Sequence, residues 1–483
     1  MSLARRASLN IGFKALGELS RFAWAVLLIL VARRLGGESF GRISFAYSFT
    51  YLFVLLTDFG LNILLVREVA RDRGAAACYL GNLLSLKLLS APVAFGLIAA
   101  AIVLSGYSAE VVVVVLLFAG VNLVRGILEL YGAVFSGLEV MGREAALKNL
   151  HQVCLLLSGG IALALGCGPF GLAVALLIAS ILVVVIGSEM VRRTIPLFRP
   201  LWDGGLWLAL LRRAVPVAMT SIFIVLYNES DIVLLSYLGQ GEREVGWYAA
   251  ASKILKMLQL IPMLVVSGVY PVFSDLAGRL RGALSTAYRG TLKLLLVIAI
   301  PVAIAVAGFA EPVVRLIYGE GFAPAALPLS LLAYSIPFLY LGYVLVNVLV
   351  SSDHLTWAAL ATGGAGVLNI AVNLLLIPVF GIAGSALAAI AAQVSLVVIG
   401  GIAVEQTVAQ SRWVQLALKP IMAGAAMLAA IALVGRTSWI VAFLAGLSIY
   451  LLVLVLTGAL REEEFIAVRR LWRGGEPNRV LKR

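Results

Sequence analysis

Charged side chains that lie inside apolar runs are the residues of this sequence most able to do chemistry. Lys14, Glu18 and Arg21 are spaced by four and three residues, so they share one face of a helix. Arg125 and Glu129 share a face in a later run. A charged side chain at the centre of a bilayer costs at least about 2.5–3.5 kcal/mol. Such positions therefore indicate a binding site, an ion pathway or an ion pair between helices.

Other apolar runs carry further polar residues. Asp58 lies next to Gly60 and Asn62, a combination that predicts a break in the helix. Lys87 has no acidic neighbour on its own run. The remaining residues of this kind are Asn228 and Asp231 at i, i+3, with Glu229 on a different face, and Lys253 and Lys256 at i, i+3.

These faces cannot all contact lipid, so we expect them to line a water-filled cavity between two helical lobes. The expected cavity is slightly basic and suits a phosphate or pyrophosphate, which Arg binds with two nitrogens and Lys as a point charge. The alternative for Glu18–Arg21 and Arg125–Glu129 is an ion pair that only holds helices in place. The candidates for substrate binding are Lys14, Arg21, Lys87, Arg125, Asn228, Lys253 and Lys256, and those for ion coupling or salt bridges are Glu18, Asp58, Glu129, Glu229 and Asp231.

The composition predicts that membrane-spanning helices position these residues. Of 483 residues, 62% are hydrophobic and 13% are charged, and this charged fraction is about half the ~25% of soluble domains. A soluble fold could not hide so much apolar surface. The composition therefore excludes a cytosolic enzyme, a secreted globule, a disordered chain and a fibre. We expect an all-α, polytopic integral membrane protein with about 14 transmembrane helices.

Apolar runs bounded by charged, Gly or Pro residues place the spans. An even number of spans puts both termini on one side of the membrane. The predicted spans are 11–32, 41–66, 79–105, 110–137, 147–167, 170–191, 214–238, 246–271, 289–310, 325–350, 356–378, 380–404, 416–434 and 438–459.

The distribution of Lys and Arg gives the orientation. If the N-terminus is cytoplasmic, the inner connectors and the tail carry about four times as many Lys and Arg residues as the outer connectors. Both termini are therefore predicted to be cytoplasmic. The net charge of +13 is expected to face anionic lipid headgroups rather than nucleic acid.

The chain repeats itself with an offset of about 205 residues. Leu35-Gly36 and Phe40-Gly41 precede span two, and Leu238-Gly239 and Val245-Gly246 precede span eight in the same way. A six-span repeat re-enters the membrane from the same side, so the two copies are parallel. We expect a six-helix lobe at 1–195, a second at 210–405, two further spans at 412–460 and a basic cytoplasmic tail at 461–483.

Several chemistries have no support in the sequence. It contains no phosphate-binding Gly-x4-Gly-Lys-Ser/Thr loop, and the connectors are too short for a nucleotide-binding domain. Cys78, Cys154 and Cys167 form no Cys-x-x-Cys pair, so no disulfide framework, zinc site or other metal site is indicated. We expect no cofactor and no enzyme activity. Transport against a gradient would use a coupled ion, either H⁺ or Na⁺.

The chain resembles the bacterial polysaccharide-biosynthesis flippases of the O-antigen and exopolysaccharide type. These belong to the MATE-like multidrug/oligosaccharidyl-lipid/polysaccharide exporter superfamily. The resemblance covers nearly the whole chain in span order. It rests on Asn10, Gly17, Ala32-Arg33-Arg34-Leu35-Gly36, Phe40-Gly41, Ser44-Phe45-Ala46, Asp58-Phe59-Gly60-Leu61, Arg67-Glu68, Pro216, Asp231, Leu238-Gly239 and Gly246-Trp247-Tyr248-Ala249-Ala250.

The resemblance implies two six-helix lobes around a cationic cavity. It also implies movement of an undecaprenyl-pyrophosphate-linked oligosaccharide from the inner to the outer leaflet of the bacterial cytoplasmic membrane by alternating access. The basic residues of spans one, three, four and eight would then lie on the path of the pyrophosphate and the sugars. The expected partners are this anionic lipid-linked glycan, membrane lipids, and the polysaccharide polymerase and chain-length proteins, with a monomeric transport unit and no nucleic acid.

Three alternatives stay open. A flippase for a peptidoglycan lipid precursor has a similar layout. A cation-coupled multidrug exporter predicts an acidic cavity, which the Lys and Arg content disfavours. A membrane glycosyltransferase or polymerase usually needs a large outer loop, and the outer connectors are short.

Overall fold

A computed structural model describes residues 21–196, 198–239, 241–277, 281–408, 413–434 and 438–459. Across these ranges the regular elements are helices, and no strand occurs among them. The seventeen α-helices are α1 (Arg21–Asp58), α2 (Leu61–Arg71), α3 (Ala76–Leu104), α4 (Ala109–Gly137), α5 (Met141–Ala164), α6 (Pro169–Thr194), α7 (Gly204–Leu238), α8 (Glu242–Leu258), α9 (Leu260–Ala277), α10 (Arg281–Gly308), α11 (Ala310–Tyr318), α12 (Ala326–Ala333), α13 (Ile336–Ser351), α14 (Leu355–Phe380), α15 (Ile382–Thr407), α16 (Trp413–Val434) and α17 (Trp439–Leu456).

The predicted fold class is confirmed. The described residues contain eleven helices that are long and apolar enough to cross a membrane, or twelve when the bent pair Glu320–Ala333 and Ile336–Ser351 counts as one span. These twelve correspond in order to predicted spans three to fourteen. Predicted span two lies in α1 and α2. The second half of predicted span one, residues 21–32, forms the start of α1, and its first half lies outside the described residues.

Several predicted spans have different bounds in the structure: the helix of 289–310 begins at Arg281, and 41–66 and 325–350 are each divided between two helices. Two further differences have a clear physical reason. Helix α7 begins at Gly204, before the predicted start at 214, because the Asp203 carboxylate accepts a hydrogen bond from the Leu206 amide at 3.0 Å and caps the first turn. The predicted span 246–271 is two helices, α8 and α9, which meet at Gln259.

Proline explains the break between α8 and α9. Pro262 has no N–H and cannot donate to the carbonyl of Leu258 four residues earlier. The Tyr340 hydroxyl donates to that carbonyl instead, at 3.0 Å. The same arrangement occurs in α10, where Pro301 leaves the Val297 carbonyl without its helical donor and Tyr450 donates to it at 2.9 Å. Each tyrosine thus satisfies a carbonyl that a proline has freed.

The chain divides into two compact units. The first comprises the described residues up to Ser236 and the segment that ends at Gly246. The second comprises Tyr237–Gly239 and the described residues from Trp247 onward. Helix α8 begins in the first unit and continues into the second. The lobe boundaries predicted from the repeat stay a prediction.

The core of the first unit is built from six helices. Leu64 of α2, Leu80 of α3 and Phe135 of α4 are among its buried residues. The start of α7 packs into the same core through Leu210 and Ala214, which are fully or almost fully buried. Helix α4 also packs against α1 and α6. Spans that carry candidate residues therefore share one core.

The second unit has a satellite cluster formed by the last two helices. Met427 of α16 and Tyr450 of α17 are buried, and Val297 and Ile300 of α10 pack against them. Helices α16 and α17 pair along their length and attach to the unit through α10. The Tyr450 hydrogen bond lies at this attachment.

We predict that removing either tyrosine hydroxyl destabilises the second unit. Tyr450→Phe and Tyr340→Phe each leave a buried carbonyl without a donor and should lower the free energy of unfolding in micelles by about 1–2 kcal/mol. Tyr334→Phe is the control, since Tyr334 is 61% exposed. Equal free energies for all three variants would contradict the assignment.

Candidate functional site

A strip of polar side chains runs along α1, beyond the point where Gly36, with φ 77°, kinks the helix. Tyr47, Tyr51 and Asp58 are separated by four and seven residues, so each returns to the same face of a helix with 3.6 residues per turn. Ser48 and Thr50 lie beside them and are buried. We call Tyr47, Ser48, Thr50, Tyr51 and Asp58 the polar strip.

The C-terminal end of the strip is an ion pair next to the point where helix α1 ends. Helix α1 ends at Asp58, and Phe59 and Gly60 adopt positive φ values of 43° and 73°. The break predicted from the sequence is therefore confirmed. The Lys87 ammonium lies 2.9 Å from the Asp58 carboxylate and donates to the Gly126 carbonyl at 3.2 Å. Lys87 is only 4% exposed, so its partner on another helix is what allows the charge to be buried.

The middle of the strip holds Arg125. Its Nε donates to Glu129 Oε1 at 2.9 Å, and its Nη1 donates to the Tyr47 hydroxyl at 2.7 Å. The guanidinium carbon lies 5.1 Å from the centre of the Tyr51 ring. The intrahelical Arg125–Glu129 pair expected as the structural alternative is present. The Arg125 side chain is nevertheless 28% exposed.

Two hydrogen bonds connect the strip to neighbouring helices. Ser48 Oγ donates to the Glu229 carboxylate of α7 at 2.6 Å, and Asn122 Nδ2 of α4 donates to Thr50 Oγ1 at 2.7 Å. Glu229 is 7% exposed. The sequence placed Glu229 away from Asn228 and Asp231, and in the structure its side chain is directed at α1.

Three aromatic rings form a row next to these groups. The centroids of Trp24 and Tyr47 lie 5.8 Å apart, as do those of Tyr47 and Tyr51, and the last two rings are nearly parallel at 8°. All three side chains are half-buried. The row thus lies alongside Arg125, whose guanidinium carbon contacts the Tyr51 ring.

The structure brings together the candidates Asp58, Lys87, Arg125, Glu129 and Glu229, all within the first unit. Among them the three acidic groups outnumber the two basic ones. The slightly basic balance expected from the sequence therefore depends on Lys14, Arg21, Lys253 and Lys256.

The other candidates have different placements. Lys14 and Glu18 lie outside the described residues, and of Arg21 only the backbone is described. Asn228 donates to the Ile224 carbonyl of its own helix at 2.7 Å. Asp231 is 9% exposed. Lys253 and Lys256 are half-buried on the part of α8 that belongs to the second unit. Their roles stay predictions.

Sequence reasoning missed the uncharged members of the strip. Tyr47, Ser48, Thr50 and Tyr51 carry no charge, so they do not stand out as charged side chains inside an apolar run. A usable signal was present, because the spacing of Tyr47, Tyr51 and Asp58 repeats at the helical period.

A family model described as "Polysaccharide biosynthesis protein" matches residues 10–277, more than half of the chain. The chain therefore belongs to this family, and the resemblance noted in the sequence is confirmed. A second model, described as "MatE", matches residues 216–375. No curated protein matches the chain.

Solved structures share the fold. The structure titled "Lipid II flippase MurJ, inward closed conformation" has a TM-score of 0.72 at 16% identity, over 93% of this chain and 99% of that one. An inward-facing multidrug resistance MATE family transporter of the MOP superfamily has a TM-score of 0.66 at 18% identity, over 82% and 98%. A MOP superfamily transporter from Pyrococcus furiosus has a TM-score of 0.56 at 16% identity, over 83% and 96%.

We predict that the Lys87–Asp58 pair stabilises the first unit. Asp58→Asn leaves the Lys87 charge buried without its carboxylate and should cost about 2–3 kcal/mol of unfolding free energy in micelles. Replacing both partners, with Asp58→Leu and Lys87→Met, should recover most of this loss. Glu189→Gln is the control, because it breaks the exposed Arg193–Glu189 pair and should cost about 0–1 kcal/mol. An equal loss in Asp58→Asn and Glu189→Gln would contradict the prediction.

Proposed function

We propose that the protein flips an undecaprenyl-pyrophosphate-linked oligosaccharide, the repeat unit of an O-antigen or exopolysaccharide, across the bacterial cytoplasmic membrane. The direction is from the inner to the outer leaflet, by alternating access. Membership of the polysaccharide biosynthesis protein family supports this proposal, and so do the flippase and transporter folds of similar structures.

The observation that carries the proposal is that Arg125 is held by two hydrogen bonds and is still partly exposed. Two of its three guanidinium nitrogens, Nε and Nη1, donate to Glu129 and Tyr47, while the side chain keeps 28% of its surface exposed. Among the described residues Nη2 has no hydrogen-bond partner. A guanidinium that is fixed by two nitrogens and open at the third can bind a phosphate oxygen with little loss of side-chain entropy. Arg125 is therefore our first candidate for contact with the pyrophosphate.

The other basic candidates divide into two roles. Lys87 is buried and already bound to Asp58 and the Gly126 carbonyl, so we assign it to positioning rather than to substrate contact. Lys14, Arg21, Lys253, Lys256 and the amide of Asn228 remain proposed contacts along the path of the headgroup.

The aromatic row suits the sugars. Sugar rings present apolar C–H faces, and these pack against flat aromatic side chains. Trp24, Tyr47 and Tyr51 offer three adjoining rings beside Arg125. A ligand that carries a diphosphate next to a sugar would thus find a cation and aromatic faces together.

The buried carboxylates of α7 are the proposed coupling groups. Glu229 and Asp231 are 7% and 9% exposed within an apolar span. A carboxylate buried in an apolar span carries a large desolvation cost, and binding of H⁺ or Na⁺ lowers this cost by neutralising the charge. Glu18 remains a further proposed coupling or pairing group, and Asp58 and Glu129 serve as salt-bridge partners.

We also propose a membrane topology, an oligomeric state and partner proteins. Both termini lie in the cytoplasm, and the transport unit is a monomer. A polysaccharide polymerase and chain-length proteins would use the product at the outer leaflet.

Two other substrates remain alternatives. The similarity to a lipid II flippase structure favours a peptidoglycan lipid precursor as the second candidate. The MatE match favours a cationic drug as the third, and so does the excess of acidic groups, Asp58, Glu129 and Glu229, over Lys87 and Arg125 at the candidate site.

We predict that transport depends on Arg125. In proteoliposomes with a fluorescent polyprenyl-pyrophosphate oligosaccharide, Arg125→Gln should lower the rate of transbilayer movement at least about tenfold, through loss of one charge-assisted contact. Lys148→Gln is the matched control, because it breaks a Lys148–Glu144 pair of the same i, i+4 spacing on the next helix.

Glu229→Gln and Asp231→Asn should reduce the response of the transport rate to an imposed H⁺ or Na⁺ gradient. Export of a cationic dye with no movement of the lipid-linked sugar would move the protein to the drug-exporter class.

A further inference from the structure

Three helix N-termini meet at the end of the first unit that is predicted to face outward. They belong to the part of α1 that follows the Gly36 kink, to α4 and to α8. Each carries a glutamate in its first turn, where a negative charge offsets the positive end of the helix dipole. These glutamates are Glu38, Glu110 and Glu242.

Arg42 joins the three carboxylates. Its Nη2 lies 3.0 Å from Glu38, its Nη1 lies 2.8 Å from Glu110, and its Nε donates to Glu242. The Glu38 contact is within one helix, whereas the other two connect α1 to α4 and to α8. The planar guanidinium can bind three groups at once through separate nitrogens, which an ammonium group cannot do with the same geometry.

Two glycines let α1 and α8 approach backbone to backbone beside Arg42. A Cβ on Gly41 would overlap the carbonyl oxygen of Glu242, and a Cβ on Gly246 would overlap that of Gly37. The two contacts are related by the predicted internal repeat. Its offset of 205 residues makes Gly37 equivalent to Glu242, and Gly41 equivalent to Gly246. Equivalent positions of the two copies thus face each other, as in close helix crossings built on small residues.

A second contact closes the same end. The Tyr107 hydroxyl lies 2.7 Å from Ser236 Oγ and donates to the Ser236 carbonyl at 3.0 Å. The Tyr107 ring also stacks on Phe45, with centroids 5.0 Å apart. The connector before α4 is thereby attached to the end of α7, next to Arg42.

We propose that Arg42 and the Gly41–Gly246 crossing form a clamp that holds the outer end of the first unit closed. Arg42 is a positioning residue. It fixes the first turn of α8, the helix that continues into the second unit, against α1 and α4. Release of Glu242 and Glu110 from Arg42 frees that turn, and the outer end opens. The clamp rests on the proposed transport function for its purpose, but its closure can be measured without any substrate.

Cysteine accessibility tests the clamp. Val111 is 2% exposed and lines the small pocket formed with Arg42, Tyr107, Ser236 and Glu242. Val111→Cys, in a chain whose three native cysteines are replaced by serine, reports entry of a membrane-impermeant thiol reagent from the outer side. Arg42→Gln should raise the labelling rate about five- to tenfold, because two ion pairs between helices are lost. Gly41→Ala, which keeps all charges, should raise it similarly by wedging the crossing apart.

Two matched variants serve as controls and should leave the labelling rate unchanged. Arg315→Gln breaks another cluster on the predicted outer side, in which Arg315 pairs with Glu311 and Glu320 of its own segment. Gly96→Ala adds a methyl group to a helical glycine that has open space around it. Arg42→Lys should give an intermediate rate. Size-exclusion elution of each variant in detergent identifies any that fails to fold, and for an unfolded Gly41→Ala the test rests on Arg42→Gln and Arg42→Lys.

Three outcomes overturn the clamp. The first is an unchanged rate in folded Arg42→Gln. The second is a rate in Arg315→Gln that rises as much as in Arg42→Gln. The third is faster labelling in Gly41→Ala alone, which assigns closure to the crossing and removes Arg42 from it. If the native chain does not transport a lipid-linked oligosaccharide but the labelling results are as expected, the proposed function is overturned and the clamp is not.

Discussion

The first unit depends on one constraint: a charge that lies in an apolar bundle must meet a partner on a neighbouring helix or keep part of its surface in water. Lys87 meets Asp58, Arg125 meets Glu129 and Tyr47, and Glu229 accepts from Ser48. Each contact except Arg125–Glu129 joins two helices. The polar strip of α1 is therefore both the candidate site and the means by which α3, α4 and α7 are attached to α1.

The two units use side-chain hydroxyls for different purposes. In the second unit, Tyr340 and Tyr450 satisfy carbonyls that Pro262 and Pro301 have freed, so their role is to stabilise bent helices. In the first unit, the Tyr47 hydroxyl binds the Arg125 guanidinium. The hydroxyls of Tyr340 and Tyr450 thus support the backbone, whereas that of Tyr47 positions a charged side chain of the candidate site.

The sequence predicted the fold class, the order of spans three to fourteen and the break after Asp58, because these depend on hydropathy and on local backbone preferences. The Arg125–Glu129 pair could also be read from its spacing. The partners of Lys87 and Glu229 could not, since Asp58 and Ser48 lie on other helices and a single sequence does not specify how helices rotate against each other. The early start of α7 was missed because Asp203 and Leu206 act through a cap, which hydropathy does not register.

We propose that the polar strip and Arg125 together recognise an anionic, sugar-bearing lipid. Equilibrium binding to the purified native protein in micelles tests it most directly, with a short-chain polyprenyl-pyrophosphate disaccharide compared with its monophosphate and with a cationic dye. We expect saturable binding of the pyrophosphate, at least about tenfold tighter than the monophosphate through one additional charge-assisted contact to Arg125, and no competition by the dye. Saturable binding of the dye, with no binding of either phosphorylated lipid, would contradict it.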